Sequence, residues 1–149
     1  MQPRFLFIIM ALVLGALLPI QAIINARLSR VVSSSIVTAF ISFGVGTIAL
    51  FFYLLISRQI HFQDIPFRQS PWWIWIGGLL GTFYVAGIVV LVPRLGVALS
   101  FSLVIAGQMM IAMLFDHFGW LGISIREISV GKIAGAILLI VGVFLIRKF

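Results

Sequence analysis

The chain has no cysteine and only three acidic residues in 149, Asp64, Asp116 and Glu127. Without thiols, disulfide bracing and thiolate chemistry are excluded. None of the three acids falls in the middle of an apolar run. A site for a multivalent cation inside a membrane needs a central carboxylate to offset the desolvated charge, so neither a metal nor another cofactor is expected. The sequence also lacks a Walker phosphate loop, a His-Glu metal motif, a Gly-x-Ser-x-Gly elbow and a Ser/His/Asp set within its spans. Nucleotide hydrolysis by this chain is thereby excluded, and an enzyme is not expected. Charge of either sign is scarce: Asp, Glu, Lys and Arg make up 9% of the residues, against roughly 25% in a soluble domain.

What fills the chain instead is hydrocarbon. Hydrophobic residues are 63% of the sequence, and the mean hydropathy is +1.29. A surface this apolar must be covered by lipid. A helix needs about 20 apolar residues to cross a hydrocarbon core, and five stretches qualify: about 5–24, 35–56, 71–92, 96–115 and 129–146. The longest connection, Ser57 to Ser70, is too short for a domain, so residues 1–149 read as a single five-helix transmembrane domain.

The net charge of +7 and a pI near 11.6 would suit nucleic acid only if the basic residues formed a patch. They lie singly at the ends of apolar runs, where they anchor helices at the headgroups, and no nucleic-acid partner is expected. Crossing the bilayer with each span places Arg4, Arg58, Arg68, Arg126 and Lys132 on one side. Arg27, Arg30, Arg94, Arg147 and Lys148 fall on the other. Lys/Arg bias sets orientation, so five against five gives no strong instruction. An odd number of spans puts the termini on opposite faces. Together these features predict insertion in both orientations and pairing with an inverted copy.

Local signals set the boundaries. Ser70-Pro71 predicts an N-cap followed by proline at the first helical position. Pro93-Arg94-Leu95-Gly96 predicts a tight turn between the third and fourth spans. Ser33, Ser34, Ser35 and Ser129 are further N-cap candidates. Arg4, an apolar run and Ile20-Gln21-Ala22 resemble a signal peptide, but the run is long and Ile20 suits the cleavage pattern poorly; an uncleaved first helix is expected. Trp72, Trp73, Trp75 and Trp120 sit at helix ends, as an interfacial aromatic belt requires.

Polar groups within spans need a partner or a wet cavity, and they are the candidates for function. Gln21 and Asn25, four apart, share one helix face. Pro19 just before them removes a backbone hydrogen bond and clashes with the carbonyl of Gly15, which predicts a kink. Gln108 is the one amide deep in the fourth span, beside Gly107 and Met109-Met110. Each amide could line a cavity or merely bond a neighbouring helix, at about 1 kcal/mol. Asp116 and His117 close the fourth span. A carboxylate there opposes the helix macrodipole, so either a proton-coupling or gating pair, or an interfacial Asp satisfied locally before the Gly119 stop, explains it. Gly77 with Gly81, and Gly131 with Gly135, have the four-residue spacing that lets helices approach closely. The fifth span, with Gly142 and no central polar residue, reads as a packing or dimerisation helix.

Six strings in order are shared with a known family: Gly15-Ala-Leu-Leu-Pro19-Ile-Gln21-Ala-Ile-Ile-Asn25-Ala-Arg27-Leu28, Ser42-Phe43-Gly44-Val45-Gly46-Thr47, Gly77-Gly78-Leu-Leu-Gly81-Thr-Phe-Tyr84-Val85, Pro93-Arg94-Leu95-Gly96, Ala106-Gly107-Gln108 and Asp116-His117-Phe118-Gly119. From Gly15 to Gly142 the chain resembles the YdcZ-type family of bacterial five-helix proteins in the drug/metabolite transporter superfamily. The resemblance implies a bacterial inner-membrane protein equivalent to half of a ten-helix transporter, working as an antiparallel dimer with itself or with an oppositely oriented homologue. The resulting expectation is an all-α membrane protein that exports a small polar or amphipathic metabolite by alternating access. Its binding cavity would be lined by Gln21, Gln108, Tyr84 and Asn25. A small dual-topology ion channel and a non-transporting subunit of a hetero-oligomer are the alternatives.

Overall fold

A computed structural model describes residues 3–57 and 70–149. The described residues form five long helices: α1 (Pro3–Val32), α2 (Ser35–Ser57), α3 (Gly77–Leu95), α4 (Val97–Phe118) and α5 (Val130–Lys148). Short 3-10 segments, Trp72–Ile76 and Trp120–Gly122, precede α3 and follow α4. All five helices are long and apolar enough to cross a membrane. Lipid is the solvent these surfaces require. Leu14, Phe52, Phe83, Ile111 and Phe144 all stand exposed, and α5 has no buried residue.

The chain divides into two compact units, Met1–Pro93 and Arg94–Phe149. In the first, small residues bring helices together. Ala22, Asn25 and Ala26 are the buried positions of α1, at the i, i+3, i+4 spacing that marks one helix face. Asn25 Nδ2 donates to Ser42 Oγ on α2 at 3.3 Å and ties the two helices across that seam. Between α2 and α3, Ala39, Val85 and Val89 form a small buried cluster with Tyr84 and Ala86 packed against it. Gly81 lies against the Phe43 ring of α2, so closely that a Cβ there would stand 3.2 Å from Phe43 Cζ. In the second unit, α4 and α5 form a helical hairpin.

Helix boundaries follow the backbone chemistry more closely than the apolar lengths. α1 continues eight residues past the expected Ile24, to Val32. A bilayer fixes how much apolar chain is needed, but it does not stop a helix whose next residues are Asn25-Ala26-Arg27-Leu28, mostly good helix formers. Ser34 is the serine that caps α2, its Oγ accepting from Val37 N at 3.3 Å, while Ser33 takes the left-handed turn at φ 54°. Ser129 caps α5 as expected, accepting from Lys132 N. Two expected boundaries shift. Pro71 itself is the cap of the Trp72–Ile76 segment, with no side-chain cap bond from Ser70. Pro93 lies inside the last turn of α3, and the break falls at Gly96, at φ 81°.

Candidate functional site

Hydroxyl groups within the spans are mostly spent on their own helices. Thr38, Thr82, Ser100 and Ser102 each donate to the carbonyl four residues back, at 2.6–3.0 Å. This satisfies the hydroxyl in a medium without water and leaves it little capacity for a ligand. The amides behave differently. Among the described residues, neither Gln21 nor Gln108 makes a hydrogen bond, and Asn25 commits only its NH2 group, to Ser42. Tyr84 adds a further uncommitted group: its hydroxyl is buried and has no partner among the described residues.

Gln21 and Asn25 line one groove between α1 and α2, of about 770 Å³. Its wall on α1 runs from Leu14 to Leu28, roughly 21 Å at the helical rise. α2 contributes Ile41, Ser42 and Val45. The side-chain polar groups of the groove are Gln21, Asn25 and Ser42; every other lining residue is aliphatic or glycine, and none is charged. Gly15 is part of the same wall, and Pro19 explains what that adds. Proline has no N–H, so the carbonyl of Gly15 loses its usual helical donor. The groove therefore holds its polar side chains from its middle, at Gln21, to Asn25 and Ser42, while the half toward Leu14 is apolar apart from the backbone at Gly15.

Gln108 lines a shallower depression of its own, with Gly107, Ile111, Ala112 and Phe115 of α4. Of the four residues expected in one cavity, the structure brings Gln21 and Asn25 together. Gln108 belongs to the second compact unit, and the Tyr84 ring packs on the α2–α3 cluster. A third groove, between α4 and α5, is lined by Ser102, Ile105, Gly135, Leu138, Leu139, Gly142, Val143 and Ile146. It offers no free hydroxyl, since that of Ser102 is bonded to Ala98.

Asp116 and His117 occupy the last turn of α4. The Asp116 carboxylate stands 4.0 Å from Lys132 Nζ in the first turn of α5, with both side chains more than a third exposed. Lys132 also donates to the carbonyls of Glu127 (3.0 Å) and Arg126 (3.4 Å), and Arg126 N donates to the Asp116 carbonyl at 2.8 Å. The His117 ring meets Phe118 edge-on at 4.9 Å, and Trp120 stacks on Phe118 at 5.0 Å and meets Phe115 edge-on. Gly119 stops the helix as expected, left-handed at φ 65°, its N–H on Phe115 O. A side chain at Gly119 would also strike Ile125, at 2.7 Å.

Among the glycine pairs expected to pack helices, Gly81 makes the one close contact, with a ring rather than a backbone. A Cβ at Gly77 or Gly135 would meet open space, and one at Gly131 would approach only Ser129 Oγ of the adjoining cap. Two residues that hold this local geometry were missed by the sequence reading. Ser42 was noted only within a string, although it is the hydroxyl that holds Asn25. Lys132 was counted as a membrane anchor, although its position in the first turn of a helix, where a cation is disfavoured, was a signal that it answers an acid.

Five spans apolar enough to cross a membrane, carrying amides without a partner among the described residues, define the chain as an integral membrane protein. The chain belongs to the family described as "Putative inner membrane exporter, YdcZ", whose model matches residues 6–145. It is 29% identical over 136 residues to the inner membrane protein YdcZ of Escherichia coli strain K12, covering 90% of this chain and 89% of that one. No solved structure matches it. The protein is thus a five-span inner-membrane protein of a transporter family.

Proposed function

We propose that this protein exports a small polar or amphipathic metabolite by alternating access, as a dimer of oppositely oriented copies. The observation that carries the reading is the contrast between committed and uncommitted polar groups. The hydroxyls of Thr38, Thr82, Ser100 and Ser102 bond their own helices, whereas the Gln21 and Gln108 amides and the buried Tyr84 hydroxyl have no partner among the described residues. A polar group held in lipid without a partner costs about 1–3 kcal/mol, a cost that binding cargo or a second copy removes. Inverted copies would present the same groups to both faces of the membrane in turn. Asp116 and His117, at the rim, are the candidates for proton coupling or gating. Flux in proteoliposomes tests the assignment: Gln21→Leu and Gln108→Leu should leave the protein folded and dimeric while transport is lost. Normal flux in both variants would make these amides structural and the proposed cavity misplaced.

A further inference from the structure

We infer that the α1–α2 groove selects an uncharged amphiphile, its hydrogen-bonding head on Gln21 and Asn25 and its apolar body along Leu14, Gly15, Leu17 and Leu18. This rests on the transport reading above and narrows its substrate class. Three observations carry it. First, the groove has no charged lining residue. A cation entering it would meet no carboxylate, and an anion no guanidinium or ammonium, so either would carry its full desolvation cost. A zwitterion would carry that cost twice. Second, the polar groups are amides, which donate and accept equally well. The Asn25–Ser42 hydrogen bond fixes Asn25 in the wall and leaves its carbonyl oxygen, with the whole Gln21 amide, for a ligand. Third, the groove is polar from its middle, at Gln21, to Asn25 and Ser42, and has no polar side chain from Ile20 back to Leu14. From Gln21 back to Gly15 the helix rises about 9 Å, the reach of a chain of about eight carbons, with no polar side chain lining that length. The head supplies orientation and the body supplies burial, at about 0.8 kcal/mol per CH2.

Three probes of nearly one size separate charge from size: octanamide (neutral), octylammonium (cationic) and octanoate (anionic). The full chain in lipid nanodiscs is titrated with radiolabelled octanamide, and binding to empty nanodiscs is subtracted. Saturable binding is expected, with the two ions competing at least tenfold more weakly than unlabelled octanamide. Gln21→Leu should weaken octanamide binding at least tenfold. Gly15→Leu should abolish it by filling the groove, and the fold should tolerate the change because a Cβ at Gly15 meets nothing within 4 Å. Equal competition by either ion, or no saturable binding, overturns the inference. So does binding that is insensitive to Gln21→Leu, the behaviour of a groove that merely holds lipid tails. Dissociation of the dimer by Gly15→Leu, read by cross-linking, would make the groove a seam between copies and also overturn it. Failure of the underlying reading looks different: octanamide would bind with this selectivity while no proteoliposome flux accompanied it. Conversely, saturable flux of the cation that ignores Gln21→Leu would leave a transporter standing and remove this substrate class.

Discussion

Asp116 and Lys132 face each other at 4.0 Å, each at the helix end that disfavours its charge. The acid sits in the last turn of α4, where the macrodipole is negative, and the base in the first turn of α5, where it is positive. Neither position is explained by its own helix, and each is explained by the other. Lys132 also closes the connecting loop through the carbonyls of Arg126 and Glu127.

Two experiments separate this clasp from a coupling role. Lys132→Ala should lower thermal stability by about 1 kcal/mol, since exposed pairs and single hydrogen bonds contribute little each. The exchanged pair, Asp116→Lys with Lys132→Asp, should recover part of the stability that Lys132→Ala loses, because both charges then agree with the helix dipoles although the two carbonyl bonds of Lys132 stay lost. If Asp116 instead carries a coupling proton, Asp116→Asn should abolish dependence of flux on a proton gradient while substrate exchange continues. Unchanged gradient dependence in Asp116→Asn would leave the residue as the clasp alone.

The hydrogen bond from Asn25 to Ser42 makes a contrasting prediction within the groove. Ser42→Ala deletes the acceptor and leaves a buried amide short of a partner, which costs about 1–3 kcal/mol. The melting temperature in detergent should fall, while any Ser42→Ala protein that remains folded should keep most of its flux. Gln21→Leu should show the opposite pattern, with stability retained and flux lost. Equal effects of both variants on both measurements would erase the distinction between the Ser42 hydroxyl that holds Asn25 and the Gln21 amide that binds.

Gln21, Asn25 and Gln108 stood out in the sequence because an amide in an apolar run has few explanations. Gly119 and Ser129 were legible for a similar reason, since a left-handed stop and a serine cap are local chemistry. Ser42 and Lys132 were not, because each draws its meaning from a residue at least sixteen positions away, and periodicity does not report such pairs. Pro93 misled because proline suits turns in general, whereas near the end of α3 it is held within a helix whose break is set by Gly96. The end of α1 was misplaced because bilayer thickness limits apolar length, not helix length.

Pro19 supplies a test of the freed carbonyl. Pro19→Ala returns an N–H to the helix, allows Gly15 to regain its bond, and should stabilise α1 by about 1 kcal/mol. Transport should nevertheless fall if cargo uses the carbonyl that Pro19 leaves without its helical donor. Hydrogen exchange at the new amide, together with flux in proteoliposomes, checks both halves. A more stable protein with undiminished flux would remove Pro19 from the functional account and leave it as a tolerated proline within the helix.

Orientation gives the prediction that rests most directly on the residues. The ten basic residues fall five to each side of the five spans, so the C-terminus should be found on both sides of the inner membrane. One reporter fused after Phe149 and active only in the cytoplasm, and another active only in the periplasm, should both give clear signal. Arg27 and Arg30 are the lever for shifting that balance. They lie three residues apart on the part of α1 that runs past its apolar stretch, where replacement by glutamine keeps good helix formers. Arg27→Gln with Arg30→Gln leaves three basic residues against five, and the population should collapse with the N-terminal side cytoplasmic and the C-terminus periplasmic. Transport should fall with it and return when a copy biased the opposite way is co-expressed, as an inverted pair requires. A parent chain that activates only one reporter would end the dual-orientation proposal, and the dimer would then have to be parallel or completed by an oppositely facing homologue.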